Sequence, residues 1–395
     1  MRILWVVTKP PWPMRDGGRV VVVNTLRALR AAGHECVVVS PFDPAKEDRH
    51  GLAAALRDFC EPRLVAAPPR SIGASMLLAR ARGVPLAIGR HAVTAVSEEV
   101  ERLLSDRPFD VVHAEQLQAL AQSDPARRHA VPVVLRAQNV ESDLWSALAT
   151  SWPLLRPLAR REAARLARYE GHAVGRVAAA VALTGRDAER LRSLSGRRDG
   201  IHHVAAPFPD RLPPATAALG GEPAVVVLAS DWLPNRDGAA WFWRTVWPEV
   251  RAHCPRAVLH LFGAVRGVRS APRVVVHEAP ADSREAFPPG AILAVPLRIA
   301  SGVRVKILEA WARGVPVVAT PEAAAGLDAS DGEELLIASD PRGFATAIRR
   351  LHADASLARA SVDAGRILLV ARHDPVRIAE RLAHIYAEVA HRSPR

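Results

Sequence analysis

Ile292-Leu293-Ala294-Val295-Pro296-Leu297-Arg298-Ile299-Ala300-Ser301-Gly302-Val303-Arg304-Val305-Lys306-Ile307-Leu308-Glu309-Ala310-Trp311-Ala312-Arg313-Gly314-Val315-Pro316-Val317-Val318-Ala319-Thr320 is the stretch whose reading decides the fold. Ile292 to Leu297 is a continuous apolar run of strand length, and Ser301-Gly302 reads as a turn. Val303 to Arg313 has a helical period and is closed by Gly314, and Val315 to Ala319 is the next strand. A strand–loop–helix–strand unit is the setting in which a helix N-terminus meets an anionic ligand. Lys306 sits in that helix, although the chain writes arginine almost everywhere else. Only Lys9, Lys46 and Lys306 are lysines among 53 basic residues. A lysine offers a compact point charge where arginine offers a planar fork. The plainer alternative is a surface lysine on an ordinary helix.

Working outward, the same alternation appears twice. Residues 2–8 form an apolar strand, followed by a loop through Gly17-Gly18 and a helix from Arg19 to Ala32. Further strands are expected at 36–39, 111–113, 131–135 and 179–183. Proline clusters around Ala206-Pro207-Phe208-Pro209 and Leu212-Pro213-Pro214, with Gly220-Gly221 beyond, read as a linker. Strands then recur at 224–229, 257–262, 273–277, 291–295 and 315–319. Two such runs imply an α/β protein of two doubly wound, Rossmann-like parallel sheets facing across a cleft. The expected organisation is 1–205, a linker at 206–222, 223–374, and a helix within 375–395. That helix has Ile378, Leu382, Ile385 and Tyr386 at helical spacing and is expected to pack back on the first domain.

Composition narrows the class of function. A chain of 395 residues buries about three-quarters of its unfolded surface and needs no disulfide or metal staple. Cys36, Cys60 and Cys254 are far apart and in no metal-binding spacing, so no metal site and a reducing compartment are expected. The opening residues are too short an apolar run for a signal peptide, and no run reaches the roughly 18 residues of a membrane span. A cytoplasmic protein is expected. The net charge is +12, and residues 151–200 hold eleven arginines against five acidic residues. Nucleic-acid binding is disfavoured, because aromatics are only 5% and no known module appears. In Trp152 to Arg161 apolar and basic residues alternate in blocks, and Arg165 and Arg168 can continue one face. That pattern suits peripheral contact with an anionic membrane, with a solvated helix as the alternative.

Three constellations could carry chemistry. Asp16-Gly17-Gly18-Arg19 lies between the first strand and first helix, where backbone amides can approach a phosphate or sugar; a tight turn is the alternative. It is not G-x-G-x-x-G, so nicotinamide chemistry loses support. Ser230-Asp231-Trp232-Leu233-Pro234-Asn235-Arg236 holds the equivalent place in the second half. Asn235 is a natural helix N-cap and Arg236 a candidate phosphate clamp. Lys306, Glu309 and Arg313 fall on one helix face. There the ammonium can neutralise a diphosphate, the carboxylate can accept ribose hydroxyls, and free amides of Ser301, Gly302 and Val303 add to the anion site.

The run from Pro296 to Ala310, followed by Gly314-Val315-Pro316-Val317-Val318-Ala319-Thr320, resembles the donor-site signature of family-4 retaining glycosyltransferases of the GT-B fold, in their bacterial exopolysaccharide branch. Gly326-Leu327, Asp331-Gly332-Glu333, Gly17-Gly18 and Gln138-Asn139-Val140-Glu141-Ser142 fit the same branch. The resemblance implies that Glu309 holds the nucleotide ribose, as the second Glu of an E-x7-E motif. Lys306, with a basic residue near Arg236, holds the diphosphate. Gly17 and Gly18 face the donor phosphate and acceptor cleft. The implied reaction moves a sugar, a hexose in type, from a nucleotide-sugar to a glycan or lipid-linked acceptor hydroxyl with retention, in polysaccharide biosynthesis at the inner membrane face. It uses the nucleotide-sugar as co-substrate, with no cofactor and no obligatory metal. Cationic side chains and helix amides stabilise the departing diphosphate.

Two positions depart from the pattern. The first Glu of E-x7-E falls on Ser301, and Gln138 stands where the branch often has histidine. Glutamine can donate a hydrogen bond to a sugar hydroxyl but cannot exchange protons. These departures keep open a second reading, a catalytically degenerate nucleotide-sugar-binding partner. A GT-B epimerase also fits the fold, but it would need cleft carboxylates and histidines. The alternative imidazoles, His34 and His113, read as turn or strand-end residues.

Overall fold

The structure, a computed structural model, describes residues 1–151, 156–229, 233–263, 268, 270–280, 283–299 and 301–392. Seven parallel strands form the first sheet: β1 (Arg2–Val6), β2 (Glu35–Phe42), β3 (Glu61–Ala66), β4 (Val111–Glu115), β5 (Val133–Ala137), β6 (Ala179–Ala182) and β7 (Ile201–His203). Their order is β3-β2-β1-β4-β5-β6-β7. Six parallel strands form the second: β8 (Ala224–Leu228), β9 (Val258–Phe262), β10 (Val274–His277), β11 (Ile292–Val295), β12 (Val317–Ala319) and β13 (Leu336–Ile337), ordered β10-β9-β8-β11-β12-β13. Each order reverses beside the sheet's first strand, β1 or β8. At such a switch point the loops leaving the carboxyl ends part to either side and open a crevice.

Both sheets are buried on both faces, as parallel sheets are. Along β1 the side chains alternate: Ile3 and Trp5 enter one core, Leu4 and Val6 the other. The C-terminal helix Pro375–Arg392 lays Ile378, Leu382, Ile385, Tyr386 and Val389 into the same core as Trp5 and Leu26. Its apolar stripe thus covers the first sheet, as its periodicity foretold. In the second sheet Leu293 and Val295 share a core with Ile307, Leu308 and Trp311, and that core also takes in Val21 and Leu183 from the first half. The two halves therefore meet through an apolar seam as well as polar contacts.

Edge strands account for the strands unforeseen from sequence. Strand β3 carries Pro62 between Glu61 and Arg63, a pattern tolerated only where one side of the strand is unpaired. Strand β7 has three residues, two of them histidine. The first helix spans Gly17–Ala31, two residues earlier than expected, because Asp16 caps it by accepting from the Arg19 amide at 3.1 Å. The valines at 20–23 stay helical because Val21, Val22 and Val23 are buried. The helix expected from Val303 begins at Val305 instead and ends at Gly314, whose φ of +81° closes it.

Candidate active site

The crevice brings together loops from both halves. Helix Val305–Arg313 presents Lys306 beneath the end of β8. Its Nζ donates to the Leu228 carbonyl at 3.0 Å and to Asn235 Oδ1 at 3.0 Å. Asn235 lies inside helix Leu233–Trp241 rather than at its cap, so its amide oxygen is spent on Lys306. That helix sits close: a Cβ on Gly238 would meet the Pro296 carbonyl at 2.4 Å. Arg298 adds a bidentate pair with Asp237, at 2.9 and 3.0 Å. Burial first, and then the nearby Arg304 guanidinium, pull the Lys306 pKa down to about 7. Among the described residues no carboxylate pairs with it. A half-buried ammonium held only by neutral acceptors is an unbalanced charge, which an anion would relieve. Arg236, in the first turn of the neighbouring helix, is half-buried and has no ion pair among the described residues.

Glu309 is more committed than its spacing suggested. Its Oε1 accepts from Ser283 Oγ at 2.5 Å and from Arg313 Nε at 2.9 Å. Arg313 and Glu309 side chains are 8% and 9% exposed, so this is a buried pair that holds the carboxylate still. Among the described residues Oε2 has no hydrogen-bond partner, which leaves one oxygen for a ligand hydroxyl. Lys306 and Glu309 therefore leave one helix toward different neighbours.

The loop before this helix docks on the first half. Ser301 Oγ accepts from the Val140 amide at 3.0 Å, and the Gly302 amide donates to Asp187 Oδ2 at 3.1 Å. Gly302 has φ +71°, and a Cβ there would lie 2.1 Å from the Gln138 carbonyl. The expectation of free amides at 301–303 is thus corrected: the Gly302 amide is occupied by Asp187. Asp187 is placed by Thr184, whose hydroxyl accepts from the Asp187 amide at 3.0 Å. Burial raises the Asp187 pKa, opposed by these hydrogen bonds and by Arg304. Val303 lies between these contacts in non-helical backbone. Ser230 lies outside the described residues, as do Asp231, Trp232 and 152–155.

On the first half, Gly17 and Gly18 form the opening turn of their helix. A Cβ on Gly17 would lie 3.3 Å from Val305, and one on Gly18 would lie 2.6 Å from Gln138 Oε1. Gln138 Nε2 donates to Glu115 Oε1 at 2.9 Å and to the Gly18 carbonyl at 3.3 Å. Its Oε1 accepts from Gln116 Nε2 at 2.9 Å. Both amide protons are thus spent, so the expected donation to a sugar hydroxyl is not available in this arrangement. Gln138 clamps the glycine turn. Gln116 is a non-glycine residue at φ +71°, a conformation whose strain collects at sites where a side chain must be aimed. Its Oε1 accepts from Thr8, so an amide chain crosses the ends of β1, β4 and β5. Lys9 pairs with Asp16 at 2.7 Å at the same rim.

Beneath this rim is a sealed polar network. Glu115 accepts from Arg136 at 2.6–3.0 Å and from Trp5 Nε1 at 3.2 Å. Burial alone would raise the Glu115 pKa, but Arg136 and His113 overcome it and hold it at about 2. His113 stacks on Trp5 with centroids 3.7 Å apart and bonds the Tyr386 hydroxyl at 2.8 Å. Burial lowers its pKa to about 4. It is a core histidine, and His34, 3.3 Å from the N-terminal amine, lies at the strands' opposite ends. Asp187, Gln116 and Ser283 escaped the sequence reading. Only Asp187 left a signal, in the capping pattern Thr184-Gly185-Arg186-Asp187.

Comparison with known proteins adds three findings. Residues 222–354 match the family described as Glycosyl transferases group 1. No curated protein matches the sequence significantly. Among solved structures, sucrose-phosphate synthase from Thermosynechococcus elongatus superposes with a TM-score of 0.74 at 16% identity, over 100% of both chains. HepE of Anabaena in complex with UDP and glucose gives 0.67 at 15% identity, over 98% of this chain and 100% of that one. A putative UDP-N-acetylglucosamine 2-epimerase from Listeria monocytogenes gives 0.58 at 10%, over 100% and 97%. At these identities the likeness is one of fold: two Rossmann-like domains across a cleft, the GT-B arrangement.

Proposed function

We propose that the protein is a retaining glycosyltransferase, which moves a sugar from a nucleotide-sugar to a hydroxyl of a glycan or lipid-linked acceptor. Lys306 carries this reading: a half-buried ammonium with a pKa near 7, held by the neutral Leu228 carbonyl and Asn235 amide at the mouth of a switch-point crevice. A nucleotide-sugar diphosphate supplies the missing charge, and Arg236 closes on its outer oxygens. The free Oε2 of Glu309 takes a ribose hydroxyl, while Ser283 and Arg313 fix its plane. The family match over 222–354 covers these residues, and HepE was solved with UDP and glucose.

In this reading the anomeric C–O bond to the diphosphate breaks as the acceptor oxygen bonds on the same face. The cations stabilise charge developing on the leaving group, without an obligatory metal. Gln138 cannot titrate and His113 is sealed in the core, so the acceptor proton passes to a diphosphate oxygen. Gln138 instead holds Gly18 and the Ser301 loop in register.

The test is nucleotide release from UDP-, GDP- and dTDP-sugars, with the anomeric configuration of transferred or hydrolysed sugar read by NMR. Release with retention supports the proposal, and inversion refutes the stereochemistry. The spent amide of Gln138 and the hydroxyl at Ser301 favour a second reading, a nucleotide-sugar-binding partner without turnover. Donor binding with no release from any donor would select it.

A further inference from the structure

One helix of the first half is built inside out. Helix Ile72–Ala81 turns Ser75 and Ala79 toward the protein. Helix Leu86–His91 fits against it so closely that a Cβ on Gly89 would lie 2.7 Å from Ala79 Cβ. The large apolar residues point the other way: Ile72 is 68% exposed, Met76 52% and Leu77 71%. Soluble helices bury their large apolar side chains and leave small or polar ones outside. A contiguous exposed apolar face marks an interaction surface.

The charge around it is one-sided. From Pro62 to Ser97 the chain holds five arginines and no Asp or Glu. Arg80, Arg82 and Arg90 are exposed, and on the helical wheel Arg80 falls between Met76 and Leu77. A second helix extends the face. Arg156–Arg176 exposes Leu158 at 62% beside Arg156, Arg160 and Arg161, again with no acid before Glu162. It is tied to the same segment, since Glu162 accepts from the Leu86 amide and Arg165 donates to the Val84 carbonyl at 2.8 Å. Arg165 is thereby withdrawn from the basic face that its spacing suggested. The segment leaves the carboxyl end of β3 and ends at His91, within electrostatic reach of Lys9. It therefore lies on the same rim as the Lys9–Asp16 loop.

We propose that Ile72, Met76, Leu77 and Leu158 insert into the interfacial layer of an anionic bilayer, with Arg80, Arg82, Arg156, Arg160 and Arg161 meeting lipid phosphates. Exposed apolar side chains flanked in sequence by arginines, with no acidic residue from Pro62 to Ser97 or from Arg156 to Arg161, match that surface in both respects. A protein partner would have to be equally apolar and acidic. Resting on the transferase reading, the placement brings a lipid-borne acceptor to the cleft's edge.

The test is co-sedimentation of the full chain with phosphatidylcholine vesicles, alone or with about 30% phosphatidylglycerol. Wild type is expected to pellet with the anionic vesicles only. Ile72→Ser/Met76→Ser/Leu77→Ser and Arg80→Glu/Arg82→Glu should each lower partitioning by about tenfold or more. Thermal unfolding checks that each variant is folded, and all five positions are exposed. Equal pelleting of wild type and variants, or none by wild type, overturns the proposal. A wild-type dimer made monomeric by the triple serine variant, without vesicle binding, gives the face to a second copy instead. A donor-induced thermal shift read on the same samples separates the two ideas. Lost vesicle binding with an intact shift removes the membrane role alone, and absence of any shift removes the transferase reading alone.

Discussion

If Lys306 meets a diphosphate, donor affinity must depend on pH in a direction that its environment dictates. Free, the ammonium titrates at about 7, well below the ordinary lysine, because burial and Arg304 disfavour its charge. Bound beside two phosphate charges it stays protonated to much higher pH. Between those limits binding takes up one proton, so the dissociation constant rises as pH rises through 7. From about pH 6 to about pH 8 the protonated fraction of the free site falls about tenfold, weakening binding by about 1.4 kcal/mol. A nucleotide-sugar diphosphate is fully ionised over this window and contributes no slope of its own. Lys306→Ala loses a charge-assisted contact of about 1.5–3 kcal/mol, or roughly 10- to 150-fold in affinity, at the acid end. Its deficit should shrink at the alkaline end, where wild type also lacks the charge. Lys306→Arg keeps its charge throughout and should flatten the slope while retaining part of the affinity. Calorimetric titration of one nucleotide-sugar into the three proteins at several pH values measures all of this. A flat wild-type profile, or Lys306→Ala binding like wild type at the acid end, refutes the reasoning.

Other substitutions test the surrounding frame. Gly18→Ala puts a methyl 2.6 Å from Gln138 Oε1; it should destabilise the wild type but cost much less in a Gln138→Ala background, a coupling that a double-mutant cycle of unfolding reads directly. Gly302→Ala cannot keep both φ +71° and the contact with the Gln138 carbonyl, so turnover should fall sharply while the second domain's unfolding changes by only about 1–3 kcal/mol; unimpaired turnover would show that docking of this loop is not needed. Arg136→Met strands the buried Glu115 carboxylate and should cost about 3–5 kcal/mol in denaturant unfolding. Because Glu115 is held at about 2 in the fold, wild type should lose this part of its stability as pH falls from the ordinary carboxylate range toward 2. A pH-independent difference between wild type and Arg136→Met over that range would contradict the pairing.

Local pattern carried much of this. The apolar runs at 292–297 and 315–319, the helix between them and the terminal amphipathic helix all follow from periodicity that burial then enforces. Lys306 stood out because arginine fills nearly every other basic position. What stayed hidden is long-range. Nothing near Gly302 in sequence announces Asp187, 115 residues away, and nothing near Gln138 announces that Glu115 and Gly18 use up its amide. Strand β3 hid because an edge strand tolerates Pro62, and Asn235 changed role because its helix begins two residues earlier. The inside-out helix at 72–81 was invisible for a different reason. Its apolar content reads as core until packing shows that Ala79 and Gly89 already fill the contact.

The central claim is that a nucleotide-sugar binds at Lys306, and thermal unfolding across a panel of UDP-, GDP- and dTDP-sugars tests it most directly. At least one donor should raise the melting temperature of wild type and leave Lys306→Ala nearly unmoved. No shift with any donor, or an equal shift in both proteins, would contradict the account.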